Sequence, residues 1–305
     1  MHVPEPDAPA VVTELETPEG YNLSRTMSSS RMGLYDPVTR IDDKALELAL
    51  HTPDGPASIA VSESPGAVEV RGWGEGATWL VPHLPGLLGL VDNAAAFAPG
   101  SGVVRQLWRR FAGTHLPRFP RVFDRIVRVT LLQLVTWQEA CGAWGRLVDE
   151  LGEESPGPLG VRLPPSPATL KSTPDYALVR MGVRSQQART ILRLARYAGR
   201  IEEAALLGPQ TLAERLGALQ GIGPWTIAYV QGNALADPDA VILGDYNLPD
   251  TVAYILAGEP RASEQRMLEL LEPFRGHRFR VIRLLWMNGV SAPRRGPRHD
   301  AYRPQ

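Results

Sequence analysis

The chain carries a single cysteine, Cys141, no apolar stretch that reads as membrane-spanning, and a formal net charge of only −1. One thiol excludes an intramolecular disulfide framework and any four-cysteine metal or iron–sulfur site. The first residues, MHVPEPDAPAVVTELETPEG, have neither the basic start nor the continuous apolar run of a secretion signal, so a cytoplasmic protein is expected. A near-neutral balance carries no global signature of a nucleic-acid binder. No Gly-rich nucleotide fingerprint such as a P-loop is present, and neither ATP nor NAD is expected. His51, His83, His115, His277 and His299 are scattered without the spacing of a metal site.

What is present suits a folded protein: 305 residues, 44% hydrophobic, enough to bury a sizeable core in two domains or three small ones. Residues 1–40 are rich in Pro, Ser and Met without a clear period, which predicts a partly irregular N-terminal arm. Residues 41–100 read as a small antiparallel sheet. Leu46, Leu48 and Leu50 alternate with polar or small residues, Pro53-Asp54-Gly55-Pro56 makes a turn, and Ile59–Val61 and Val68–Trp73 follow as strands. Residues 101–290 are helical, with Val104, Leu107, Trp108 and Phe111 at helical spacing and a long apolar run from Val122 through Val148. The interval from Ser155 to Pro167 reads as a connecting loop, and residues 291–305 as a basic, flexible tail.

Charge is unevenly spread although its sum is small. Arginines cluster at Arg105, Arg109, Arg110, Arg118, Arg121, Arg125 and Arg128, again from Arg180 to Arg200, and at Arg275, Arg278, Arg280 and Arg283. Such clusters suit the neutralising of phosphates, and equally suit ordinary solvated helix faces.

The most informative stretch is Leu219-Gln220-Gly221-Ile222-Gly223-Pro224-Trp225-Thr226, followed by Gly244-Asp245-Tyr246. Two glycines flanking one apolar residue let the backbone turn through φ > 0 and approach another molecule without a Cβ in the way. Pro224 suits the first turn of a new helix. That helix begins with free N–H groups and the positive end of its dipole, a ready site for a phosphate. Leu212, Leu216 and Leu219 before the turn, with Ile227 and Val230 after it, complete a helix-hairpin-helix pattern. By residue type alone, Asp245 also suits capping of the helix that runs from Leu248.

On these residues the chain resembles the helix-hairpin-helix DNA glycosylases, and within them the 3-methyladenine DNA glycosylase II (AlkA-type) branch, over roughly residues 100 to 290. The resemblance implies an α+β fold, a mostly helical bundle with a small N-terminal antiparallel β domain. It implies that Gly221, Ile222, Gly223 and Thr226 form a DNA-binding hairpin and that Asp245 is catalytic. A carboxylate there stabilises the oxocarbenium-like sugar and orients the attacking water. Superfamily members that also nick the strand carry a lysine two positions after the second hairpin glycine, where this chain has Trp225, so a monofunctional enzyme is expected.

Trp225, Tyr229 and Trp286 match aromatic positions of the family's base pocket, although each taken singly also suits a core position. An electron-rich indole face holds a cationic alkylated purine by about 0.5–2 kcal/mol. The expected activity is therefore hydrolytic excision of alkylated purines of the 3-methyladenine and 7-methylguanine type in base excision repair. The base must be flipped out of the duplex, and Gln133-Leu134-Val135-Thr136 resembles the segment that fills the gap, with Gln133 and Leu134 as wedge residues. Leu134 equally suits a buried helix face.

Double-stranded DNA containing damaged bases is the implied partner, with no membrane, for a monomer near the nucleoid. No cofactor is required, and a monovalent cation at the hairpin carbonyls is implied. Leu132 stands where close relatives carry an acid, and Asn247 where they commonly carry histidine; both bear on substrate range. Two other readings stay open: a non-catalytic DNA-damage-binding protein of the same fold, and a monofunctional glycosylase for another damaged base.

Overall fold

A computed structural model describes residues 8–100 and 102–293; the expected tail from residue 294 onward and the first seven residues lie outside them. The chain opens with strand β1 (Val11–Glu16), helix α1 (Leu23–Met27) and strands β2 (Thr39–Ile41), β3 (Ala45–Thr52), β4 (Gly55–Ser64) and β5 (Ala67–Trp73). These strands form one antiparallel sheet in the order β1-β5-β4-β3-β2. Alternation explains it: Leu46 and Leu48 of β3 are buried while Ala45 is exposed, so one face of the sheet is apolar. The β3–β4 hairpin closes with Thr52 opposite Gly55, whose φ of +119° is open to glycine and strained for other residues.

The expected arm is largely structured. Strand β1 pairs with β5 along its full length, from Val11 opposite Gly72 to Glu16 opposite Ala67. The segment that follows α1 is fixed by Asp36, a buried carboxylate that accepts from the Met32 N–H at 2.6 Å and the Val38 N–H at 2.9 Å. It also accepts from Arg128 Nη1 at 2.9 Å and from the Trp144 indole at 3.0 Å. Polar partners far along the chain order this segment together with the buried Met32 and Val38, whose spacing shows no period.

The rest is helical. Short turns α2 (Ala77–Leu80) and α3 (Leu84–Leu87) lead to α4 (Gly102–Arg110), α5 (Phe123–Leu131) and α6 (Trp137–Leu151). A ribbon of β6 (Glu153–Glu154) and β7 (Arg162–Leu163) follows, then α7 (Pro167–Ser172), α8 (Asp175–Arg180) and α9 (Ser185–Leu207). Helices α10 (Pro209–Gly217), α11 (Pro224–Ala234), α12 (Leu248–Ala257), α13 (Glu264–Leu271) and α14 (Arg278–Asn288) complete the bundle. The interval expected to be plain loop thus contributes β7, whose Leu163 packs with Val161 against Ala49 of β3.

The apolar run from Val122 to Val148 is interrupted between α5 and α6. Thr136 and Glu139 form a reciprocal capping box that starts α6 afresh, and Leu134 just before it takes φ +56°. The break turns Leu134 and Trp137 outward from a run whose flanks, Ile126 to Leu131 and Ala140 to Val148, supply core residues.

Two apolar cores meet at α11. One joins Leu48, Val61 and Val70 of the sheet to Ile126, Trp144 and Ile191 of the helices; the other gathers Leu107, Val252, Met267, Phe279 and Leu285. Trp225 and Tyr229 of α11 pack against both. The second helix of the hairpin therefore lies on a seam, where a cleft can open without emptying either core.

Candidate functional site

At the hairpin between α10 and α11 the two glycines serve different ends. Gly221 takes φ +94°, and a Cβ there would lie 2.2 Å from Thr190 Oγ1 of α9. Gly223 is extended, with φ −112° and ψ 179°, and a Cβ there would meet open space. One glycine permits the turn and the close packing; the other leaves the approach to the α11 N-terminus clear. Ile222 is buried between the helices. Thr226, named with the hairpin, is 1% exposed, and its hydroxyl accepts from Gln133 Nε2 at 2.9 Å.

Gln133 does not project either. Its amide also donates to the Gly221 carbonyl at 3.0 Å, which ties the α5–α6 break to the hairpin. From the other side, buried Gln187 of α9 donates to the Leu131 and Gln133 carbonyls at 3.1 and 2.7 Å. Leu134, held between these braces, is 83% exposed. Its left-handed backbone costs about 1–2 kcal/mol for a residue with a side chain, strain of a kind that concentrates at functional sites.

The carbonyl of Gln220 accepts from the Arg193 guanidinium, and that of Gly221 from the Gln133 amide.

Asp245 lies in the loop between α11 and α12. Its Oδ1 accepts from the Asn247 and Leu248 N–H groups at 2.9 and 2.8 Å, and its Oδ2 accepts from the Trp225 indole N–H at 2.9 Å. Helix capping and a fixed, half-exposed carboxylate oxygen are thus compatible in one side chain. Tyr246, its neighbour, is 93% exposed.

Beside α11 a cleft of about 750 Å³, within the range of small-molecule sites, lies between Tyr229, Trp286, Trp137 and the segment after α1. A recess of about 50 Å³ shares with it the walls Ser29, Arg31, Trp137, Tyr229 and Asn233, and Leu132 lines its far side. Tyr229 and Trp286 stack with ring centroids 5.7 Å apart. Trp225 stands off the cleft wall, behind Tyr229 at 5.2 Å, and acts on Asp245. Burial, and after it the Asp245 charge, push the Tyr229 phenol up to about 12. Asp245 is linked to the cleft through Trp225, which donates to its carboxylate and packs on Tyr229.

Several arginines expected at phosphates turn inward. Arg125 and Arg128 both donate to the Ser30 carbonyl, Arg280 grips Asp92 through two nitrogens at 2.9 and 2.7 Å, and Arg283 donates to the Arg25 and Thr26 carbonyls. All four are buried. Sequence reasoning missed Ser29, Arg31 and Asn233 as wall residues. Asn233, four residues after Tyr229 and so on its helix face, was detectable by spacing. Ser29 and Arg31 had no local signal.

Among the described residues no group of three or more His, Cys, Asp or Glu side chains is placed to hold a metal ion, and no helix is long and apolar enough to cross a membrane. No protein-family model matches the sequence, and no curated protein matches it. Solved structures do match the fold. A 3-methyladenine DNA glycosylase from Archaeoglobus fulgidus has a TM-score of 0.78 at 19% identity, over 91% of this chain and 98% of that one. An 8-oxoguanine glycosylase/lyase from Clostridium acetobutylicum, in complex with double-stranded DNA, has a TM-score of 0.67 at 11% identity, over 92% and 99%. A 3-methyladenine DNA glycosylase from Schizosaccharomyces pombe, in complex with abasic DNA, has a TM-score of 0.50 at 17% identity, over 64% and 96%.

Proposed function

For a chain with the fold of the helix-hairpin-helix DNA glycosylases, we propose the activity of a monofunctional DNA glycosylase that hydrolyses the N-glycosidic bond of a flipped-out damaged base. The observation that carries this reading is the Trp225–Asp245 hydrogen bond, which fixes a carboxylate next to an indole whose ring packs on Tyr229 of the cleft wall. In this reading the base enters the cleft against Tyr229 and Trp286, and its sugar stays at the mouth near Asp245. Bond cleavage makes the sugar cationic, Asp245 stabilises that charge, and a water held by the carboxylate adds to C1′. Trp225 keeps the carboxylate oriented. With an indole in place of an amine at residue 225, no Schiff base forms there, and the strand is left unbroken.

The stacking face suits an electron-poor ring, and alkylated purines of the 3-methyladenine and 7-methylguanine type are the first substrates proposed. Single-turnover incubation with methylated duplex DNA should release free base and leave alkali-labile abasic sites. Strand nicks without alkali would overturn the monofunctional assignment, and no release of any base would overturn the activity.

The wedge assignment makes a separate expectation. Leu134→Ala removes an exposed side chain and so leaves folding intact, yet base release from a fully paired duplex should fall at least about tenfold. Release from single-stranded DNA, where no gap needs filling, should change less. Equal losses on both substrates would assign Leu134 no role in flipping.

A further inference from the structure

Helix α9 carries Arg189, Arg193, Arg196 and Arg200, spaced by four, three and four residues. That spacing sets them on one side of the helix, in a stripe about 16 Å long. The opposite side is core, with Ile191, Leu194, Ala198 and Ile201 buried. Arg189, Arg196 and Arg200 are exposed, and none of the three has an ion pair or hydrogen bond among the described residues. Of the two acids on α9, Glu202 is buried and caps the start of α5 through the Val122 and Phe123 N–H groups, and Glu203 stands at the far end of the stripe. Like charges four residues apart each cost a helix about 0.2–0.5 kcal/mol. A row of guanidinium groups without carboxylates paired to it suits a partner that supplies a row of negative charges.

The stripe starts at the hairpin. Thr190 lies against Gly221, and Arg193 donates to the Gln220 carbonyl and, at 3.1 Å, to the Gln220 side chain. Gln187, one turn earlier, holds the Leu131 and Gln133 carbonyls next to Leu134. The first half of α9 therefore shares a surface with the hairpin and with Leu134, and Arg196 and Arg200 extend that surface by about one and two further turns. Duplex DNA carries one negative charge per about 1.7 Å of its axis, so a stripe of this length spans about five base pairs. The planar fork of donors on arginine matches phosphate oxygens.

We infer that the α9 stripe is an additional DNA-backbone contact, which holds phosphates of the duplex flanking the damaged nucleotide, beyond the span gripped by the hairpin. The inference rests on the glycosylase reading above and adds a surface to it. Arg196 and Arg200 line neither the cleft nor its recess, so they act on affinity and not on bond cleavage.

The test measures affinity across a salt series for two duplexes centred on an abasic site, a short one and one longer by about ten base pairs on each side. Wild type is compared with the double variants Arg196→Gln with Arg200→Gln and Arg196→Lys with Arg200→Lys. Wild type should bind the longer duplex at least about tenfold more tightly at low salt. The glutamine variant should lose that advantage, with a salt slope on the longer duplex shallower by about 2, and bind the short duplex as wild type does. The lysine variant should keep most of the slope. Single-turnover base release at saturating enzyme should be unchanged in both variants, and thermal unfolding of the glutamine variant should not be lowered, since a like-charge pair is removed. Wild-type affinity and slope in the glutamine variant on the longer duplex would overturn the inference and leave the stripe a solvated face. Equal losses on both lengths would place these arginines within the span of the hairpin and overturn it too. Either result spares the glycosylase reading as long as wild type releases a base; a wild type that releases no base and binds neither duplex removes both.

Discussion

Asp245→Asn is expected to lower single-turnover base release by roughly 10²–10⁴-fold, the range associated with a positioned acid–base group, while DNA affinity changes little. The substitution separates the two roles this side chain holds. An asparagine carbonyl still accepts from the Asn247 and Leu248 N–H groups, so the start of α12 stays capped. The amide nitrogen then faces the Trp225 indole N–H, two donors where a donor and an acceptor stood, and the negative charge is gone. Stability should therefore fall by only about 1 kcal/mol, the net worth of an ordinary hydrogen bond. A large loss of rate beside a small loss of stability assigns the carboxylate to chemistry. Near-normal release in this variant would leave Asp245 as a helix cap alone and the mechanism without its charge. Tight binding of abasic or damaged duplex with no release by either protein would instead favour a damage-binding protein of the same fold.

Asp36→Ala is expected to cost about 3–5 kcal/mol, the range for breaking a buried ion pair, and to lower the Tm by roughly 6–20 °C. The physical reason is the number of groups one carboxylate satisfies. Two backbone N–H groups, the Arg128 guanidinium and the Trp144 indole all donate to it, and none has water as a substitute in that position. Arg128 also stacks over the Trp144 ring, 4.3 Å from its centroid, so loss of the anion leaves a cation confined against an aromatic core residue. The segment carrying Ser29 and Arg31 forms a wall of the cleft, so the same variant should lose base release more than its unfolded fraction accounts for. Denaturant unfolding and single-turnover rates on one preparation check both. A loss below about 1 kcal/mol would mean that the segment is held by something other than Asp36.

These two carboxylates mark the limit of what could be read in advance. The hairpin was legible because its signal is local, glycines, a proline and an apolar period within one stretch of chain, whereas Asp245 by residue type suited a helix cap and was singled out by the family resemblance. Asp36 looked like one acidic residue in an arm without a period. Its partners Arg128 and Trp144 lie 92 and 108 residues away, and periodicity cannot encode a pairing at that range. The arginines show the same limit from the other side. On an amphipathic helix, Arg109, which is exposed, and Arg128, which is buried, read alike, and only the packing of the segment after α1 and of α6 against α5 separates solvent from wall.

The sequence by itself determined the hairpin and the sheet strands at β3 to β5, since each depends on residues within a few turns of one another. Tertiary structure alone decided that the Trp225 indole donates to the Asp245 carboxylate, that Thr226 and Gln133 brace while Leu134 projects, and that Ser29, Arg31 and Arg283 share one wall. Those outcomes turn on which polar groups meet when distant segments pack. Burial makes each such meeting energetically decisive, and no local pattern records it.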